Sequence, residues 1–310
     1  MSLCVLFAAG EDSFAEYQAP LLAGFDENGL AVRLVTDAPA AEVDYIIYAP
    51  SRPLQDFPPF TRCKAVLSLW AGVERIVGNP TLTQPLARMV DPALTRGMVE
   101  YVCGHVLRYH LGMDAHIRAL PGDWEPAEPP LAPERKVAIL GLGELGSACA
   151  RALADFGFDV AGWSARPKGL AGITCHHGAE GLEATLRHAE ILVTLLPQTR
   201  DTDCIVNART LALLPRGARI INPGRGGLID DAALLAALES GQIGGATLDV
   251  FRVEPLPADH PFWADPRVTV TPHIAATTRA ASAARVIVAN IARSARGEPL
   301  LHVVNRARGY

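Results

Sequence analysis

"VAILGLGELG", residues 137–146, decides how the rest of this chain is read. Val137 to Leu140 form a short apolar run of strand type. Gly141, Gly143 and Gly146 follow at once. Residues 145–156 then carry a helical pattern, with Leu145, Cys149, Leu153 and Phe156 on one face. A bare G-x-G-x-x-G occurs often by chance. Set between a strand and a helix, it points to a dinucleotide pyrophosphate. The first glycine permits the tight turn, the second lets backbone approach the pyrophosphate, and the third allows close helix–strand packing. N–H groups at the helix start then receive the negative charge. The bland alternative is a structural Gly-rich turn. On the functional reading, Gly141, Gly143, Glu144, Leu145 and Gly146 form the phosphate turn.

The next strand, "FDVAGW" at 158–163, selects the cofactor. An NAD site usually ends this strand on Asp or Glu, bonded to the adenosine ribose 2′-hydroxyl. Here it runs into "SARPK", with no acid. Ser164, Arg166 and Lys168 offer a hydroxyl and two cations to a 2′-phosphate. NADP (NADPH) is therefore preferred over NAD, which stays possible. The competing reading makes Arg166 and Lys168 a solvated surface turn.

Working outward, strands recur at "EILVTLL" (190–196), "ARIIN" (218–222), "GATLDV" (245–250) and "RVTVT" (267–271), with a helix at 231–240 and an Ala-rich helix at 278–296. Towards the N-terminus, "LCVLF" (3–7), "AVRLV" (31–35), "VDYIIYA" (43–49) and "AVLSL" (65–69) alternate with helical stretches such as 14–23. Short β-branched runs of this kind fit buried parallel strands, and alternating β and α implies an α/β layer fold. Residues 96–116 read as one long helix, and 121–136 as a Pro-rich loop or linker. At 310 residues, the chain is expected to form about two domains.

Composition narrows the function. A hydrophobic content of 49% with 20% charged residues fits a globular protein. A net charge of −5 argues against nucleic acid as the main partner. The six cysteines include no C-x-x-C pair, which speaks against zinc or a disulfide framework and for a reducing compartment. No apolar run approaches the ~20 residues of a membrane span. The apolar start lacks a basic leader and reads as a first strand. A cytoplasmic enzyme is the expectation.

Each of the later strands is followed directly by polar residues. "PQTRDT" (197–202), "PGRGG" (223–227), "FRVEP" (251–255) and "PHIAATT" (272–278) all sit at strand C-termini. In a parallel sheet these ends share one edge, where ligands bind. Leu196, Pro197, Thr202 and Pro223 accordingly join the cofactor set, as does His273. Arg225, Glu254 and His273 should converge. Singly, each has a bland reading as a turn or surface residue. Together they suit reduction of a 2-keto acid. Arg225 would hold the carboxylate and polarise the carbonyl, His273 would give the proton, and Glu254 would keep the imidazole oriented and protonated.

"GLGELG", "LLPQTRDT", "NPGRGGLID", "GATLDVFRVEPLP" and "VTVTPHIAA" together resemble the D-isomer-specific 2-hydroxyacid dehydrogenase family, in its order and spacing. "CHHGAEGLEATLRHAEILVTLLPQT" and the ending "VNRARGY" resemble its glyoxylate/hydroxypyruvate reductase A branch. The resemblance implies an α/β fold in which a Rossmann cofactor domain (96–279) is inserted into a flavodoxin-like substrate domain (1–95 plus 280–310). It places the boundary near residue 96, and not at the Pro-rich stretch. It maps the catalytic set onto Arg225, Glu254 and His273, and a nicotinamide carboxamide contact onto Asp249. "LWAGVERI" matches the substrate-carboxylate loop, with Trp70, Ala71 and Gly72 in the pocket, and Tyr48 falls near an expected pocket aromatic. Trp70 and Glu74 depart from the family's usual smaller residue and Asp. The substrate expected is a small 2-keto acid, glyoxylate or hydroxypyruvate, and the assembly a homodimer. A bulkier 2-keto acid such as phenylpyruvate is the alternative. A nucleotide-sensing corepressor-like protein is the remote one.

Overall fold

The computed structural model describes residues 2–50, 54–117, 119–120, 122, 124, 126–307 and 309. Pro121, Asp123 and Glu125 of the Pro-rich stretch, and Arg308 and Tyr310 of the quoted ending, lie outside the described residues. The chain forms two compact units, Met1–Leu94 with Thr278–Tyr310, and Thr95–Thr277.

The first unit holds a parallel sheet of β1 (Leu3–Ala8), β2 (Val32–Val35), β3 (Tyr45–Tyr48), β4 (Ala65–Ser68) and the two-residue β5 (Leu86–Ala87), in the order β2-β1-β3-β4-β5. Helices α1 (Glu11–Glu27) and α8 (Ala280–Ala295) cover one face. Tyr17, Leu21 and Phe25 of α1 share a core with Ala284, Ile287 and Ile291 of α8. A Cβ on Gly24 would lie 3.0 Å from Val288, so glycine lets α1 and α8 approach closely. The other face buries Ile46, Tyr48, Phe57 and Ile76.

The second unit is built on seven parallel strands: β6 (Lys136–Leu140), β7 (Asp159–Ser164), β8 (Thr174–His177), β9 (Ile191–Thr194), β10 (Ala218–Asn222), β11 (Ile243–Leu248) and β12 (Val268–Val270). Their order is β12-β11-β10-β9-β6-β7-β8. The chain starts at β6, winds outward through β7 and β8, then returns to β9 on β6's other side. The order thus reverses between β6 and β9, which opens a crevice at their C-terminal ends.

Both faces of this sheet are covered, which is why its strands read as unbroken apolar runs. Successive β6 side chains point to opposite faces. Val137 and Ile139 pack with α2 (Pro92–His110) and α4 (Glu144–Asp155), through Val102, Val106, Cys149 and Leu153. Ala138 and Leu140 pack with α5 (Gly178–His188), α6 (Ala208–Leu211) and α7 (Asp231–Glu239), through Leu186, Leu211 and Leu234.

Two sequence expectations need correction. The helix expected over 96–116 is two: α2 ends at His110, and α3 spans Met113–Ile117. Gly112 sits between them at φ +65°, a conformation no α-helix continues through. Phe156, read on one face of the 145–156 helix with Leu145, Cys149 and Leu153, is the C-cap of α4 and is 55% exposed, whereas Cys149 and Leu153 are buried. Two short elements, β5 and α6, had no periodicity long enough to register.

Candidate active site

The glycine turn has the geometry its spacing implies. Gly141 takes φ +108°, and its N–H donates to Trp163 O at 2.8 Å. A Cβ on Gly146 would fall 1.7 Å from Gly141 O, so α4 can begin here only on glycine. A Cβ on Gly143 would meet nothing within 4 Å, so this backbone faces open space. No side chain caps α4, and the N–H groups of Glu144 and Leu145 have no acceptor among the described residues. An uncapped helix start with an open glycine before it fits a pyrophosphate.

Beside it lies a cleft of about 380 Å³, lined by Gly143, Glu144, Ser147, Arg151, Lys168 and Gly169. Lys168 Nζ donates to Leu142 O at 2.5 Å, which brings this ammonium to the glycine turn. Arg166 is exposed, and its guanidinium makes no hydrogen bond or ion pair among the described residues. Ser164 departs from expectation: it is nearly buried, and its hydroxyl donates to Arg166 O at 2.7 Å. It shapes the turn that carries the cations, and its proton is not offered outward.

Arg225, Glu254 and His273 follow β10, β11 and β12, three neighbours in one sheet. Parallel strands end along one edge, so residues far apart in sequence are delivered to that edge. His273 Nδ1 lies 2.8 Å from Glu254 Oε2. The other carboxylate oxygen, Oε1, accepts the Phe251 N–H at 2.9 Å. Glu254 is thereby tied to its own loop and aimed at the imidazole. The His273 side chain is 54% exposed, which leaves the ring accessible. Arg225 Nη1 donates to Gly224 O at 2.7 Å. Its backbone carbonyl accepts from Asn222 Nδ2 at 3.0 Å. Asn222 is itself buried, and its Oδ1 accepts from Thr194 Oγ1 at 2.7 Å and from Gly224 N–H at 3.2 Å.

His273 occupies φ +56°, left-handed backbone that costs an ordinary residue about 1–2 kcal/mol. Asp249 holds it there. The His273 N–H donates to Asp249 O at 2.9 Å. The Asp249 carboxylate accepts from Thr271 Oγ1 (2.5 Å), Ile274 N–H (2.9 Å) and Ala275 N–H (2.9 Å). Tyr101 of α2 meets Thr271 Oγ1 at 2.7 Å. Burial pushes the Tyr101 phenol far above its ordinary value, so it stays a neutral hydroxyl. This corrects the role read for Asp249. It is fully buried under the loop, with both oxygens engaged, and is not presented to a ligand.

Other expected residues have similarly definite places. Leu196 is nearly buried, and Pro223 is buried. Thr202 Oγ1 donates to Pro197 O at 2.7 Å and accepts from Thr199 N–H at 2.8 Å, closing the turn after β9. In the first unit, Trp70 is 37% exposed and carries the Arg75 guanidinium 5.9 Å from its ring. The amides of Ala71 and Gly72 have no acceptor among the described residues. Tyr48 is not a pocket aromatic. It is fully buried, its hydroxyl donates to Leu54 O at 3.0 Å, and its ring packs edge-on to Phe57. Sequence reasoning missed the supporting residues Asn222, Thr194, Thr271 and Tyr101. A polar residue closing an apolar strand, as in "ARIIN", was the available signal for Asn222.

A family model described as D-isomer specific 2-hydroxyacid dehydrogenase, NAD binding domain, matches residues 105–275. Glyoxylate/hydroxypyruvate reductase A of Yersinia enterocolitica is 41% identical over 255 residues, 80% of this chain and 82% of that one. Among solved structures, a D-isomer specific 2-hydroxyacid dehydrogenase from Xanthobacter autotrophicus Py2, in complex with NADPH and MES, matches with TM-score 0.93 and 41% identity over 100% of both chains. An NADPH-dependent glyoxylate/hydroxypyruvate reductase from Sinorhizobium meliloti, in complex with NADP and sulfate, matches with TM-score 0.85 and 36% identity, again over 100% of both.

The geometry makes one strong demand on Asp249. Replacing it with Ala orphans the part-buried amide of Ile274 and the buried amide of Ala275, the latter at about 1–3 kcal/mol. Thermal unfolding of Asp249→Ala should show a melting temperature several degrees below wild type. An unchanged melting temperature would remove Asp249 as the holder of the His273 loop.

Proposed function

This chain belongs to the D-isomer specific 2-hydroxyacid dehydrogenases and is an NAD(P)-dependent oxidoreductase, and from that premise we propose that it reduces a small 2-keto acid, glyoxylate or hydroxypyruvate, with NADPH. The observation that carries the reading is the Glu254–His273 pair, 2.8 Å apart, at the strand edge that also carries Arg225. NADPH, when bound, supplies the hydride. The chain supplies everything else. Arg225 holds the substrate carboxylate and polarises the carbonyl. His273 is the general acid and gives a proton from Nε2, because Nδ1 faces Glu254. Glu254 holds Nδ1 and fixes the ring's direction.

Gly141, Gly143 and Gly146, with the amides of Glu144 and Leu145, are the residues that would hold the pyrophosphate. Arg166 and Lys168 would meet the 2′-phosphate, and the cleft beside Lys168 supports that placement. The NADPH and NADP named in the two solved relatives agree with this preference. The cysteines are free, four of them buried, which supports a reducing compartment such as the cytoplasm. Among the described residues no helix is long and apolar enough to cross a membrane. We also propose a homodimer. Ile117, Leu120, Trp124 and Leu131 are all exposed along one segment of the second unit, Trp124 at 92%. A second copy of the chain is our proposed cover for them.

Three measurements test these readings. NADPH consumption should be seen with glyoxylate or hydroxypyruvate, and His273→Ala should cut turnover about 100-fold or more while NADPH binding changes little. Unchanged turnover would sink the general-acid assignment, and faster turnover of phenylpyruvate would replace the substrate. Arg166→Ala should shrink the preference for NADPH over NADH by about tenfold, since one charge-assisted phosphate contact is lost. A wild-type preference for NADH would overturn the 2′-phosphate reading. Sedimentation should give a dimer for wild type and a monomer for Ile117→Asp combined with Trp124→Ser. A monomeric wild type would end the dimer proposal.

A further inference from the structure

Arg252 lies two residues before Glu254 and takes no part in the chemistry just described. Its guanidinium nevertheless reaches two other segments of the second unit. Nη2 donates to the carbonyls of Gly227 at 3.1 Å and Ile229 at 3.0 Å, and lies 2.8 Å from Cys204 Sγ. Nη1 is 3.5 Å from Asp203 Oδ1. Gly227 lies in the 3₁₀ turn that begins directly after Arg225, and Ile229 caps its end. Asp203 and Cys204 belong to the loop that leaves β9.

These segments already run against one another. A Cβ on Gly226 would sit 2.0 Å from the carbonyl carbon of Phe251, so the Arg225 turn and the Glu254 loop meet backbone to backbone. Cys204 N–H donates to Gly227 O at 2.8 Å, and Val206 N–H to Leu228 O at 3.0 Å. Phe251, the residue before Arg252, is the donor that anchors Glu254 Oε1. Arg252 therefore stands where the substrate anchor, the acid–base pair and the β9 loop are stitched together. A planar guanidinium can face several carbonyls at once, which an ammonium on a flexible stem does poorly.

We infer that Arg252 is a positioning residue: it clamps the turn carrying Arg225 to the loop carrying Glu254, and so sets the spacing of substrate anchor and acid–base pair. The inference rests on the reaction proposed above. It acts through Arg225 and Glu254, and touches none of the glycine-turn residues that would hold the pyrophosphate. Loosening the clamp should therefore damage turnover of the keto acid and spare cofactor affinity.

The test compares full-length wild type with Arg252→Ala, Arg252→Met and Arg252→Lys, using NADPH and glyoxylate or hydroxypyruvate, whichever wild type turns over faster. In the Ala and Met variants kcat/KM for the keto acid should fall about tenfold or more, while the NADPH dissociation constant stays within about twofold. Millimolar guanidinium should restore part of kcat/KM in Arg252→Ala and should not raise wild type. The clamp is overturned if Ala and Met variants keep wild-type kcat/KM. It is equally overturned if NADPH affinity falls in parallel and guanidinium restores nothing, the mark of general unfolding. Should the Ala and Met variants not fold, Arg252→Lys keeps charge and stem but loses the fork. It must then show the same loss of kcat/KM with intact NADPH affinity, and wild-type values in it overturn the inference. A wild-type chain that reduces no 2-keto acid sinks the reaction itself. Wild-type activity with unaffected Arg252 variants sinks the clamp alone.

Discussion

A buried carboxylate without a counter-cation is costly unless hydrogen bonds replace its water. Asp249 meets that condition by accepting from Thr271 Oγ1, Ile274 N–H and Ala275 N–H, all at the exit of β12. The same residue's carbonyl accepts from His273 N–H. The loop is thus wrapped around one side chain at the end of β11. His273 is held in left-handed backbone, and its ring lies against Glu254. Without that constraint the imidazole would sit on an ordinary surface loop, and neither its direction nor its partner would be defined.

The sheet supplies the rest of the arrangement. β10, β11 and β12 are adjacent and parallel, so their exits lie in a row. Each exit is braced differently. Asn222 braces the turn of Arg225, Phe251 N–H holds Glu254, and Asp249 holds His273. The glycine turn follows β6, beside the point where strand order reverses. The glycine turn and the Glu254–His273 pair then lie at one edge of one unit because parallel strands all end there.

Much of this was legible in the chain. The strands were readable because both sheet faces are covered, so each reads as an apolar run. The motif order carried the family. Other readings failed for physical reasons. Tyr48 looked like a pocket aromatic, yet its ring fills a core and its hydroxyl serves the Leu54 carbonyl. Ser164 looked like a phosphate donor, yet its hydroxyl closes its own turn. A polar side chain advertises its chemistry in sequence but not which neighbour has already claimed it.

The amino-acid sequence by itself determined the α/β class, the glycine turn after β6 and the residue types, Arg225, Glu254 and His273, that follow three neighbouring strands. Those depend on local matters: hydrophobic period, glycine spacing and residue type. Only the tertiary structure decided that Asp249 faces inward, that Phe156 faces out, and that Arg252 reaches across two loops. These depend on which strands become neighbours. Arg252 and Ile229 are 23 residues apart and meet only because β10 and β11 pair. Residue type fixes what a side chain can do, and pairing of distant strands fixes what it does it to.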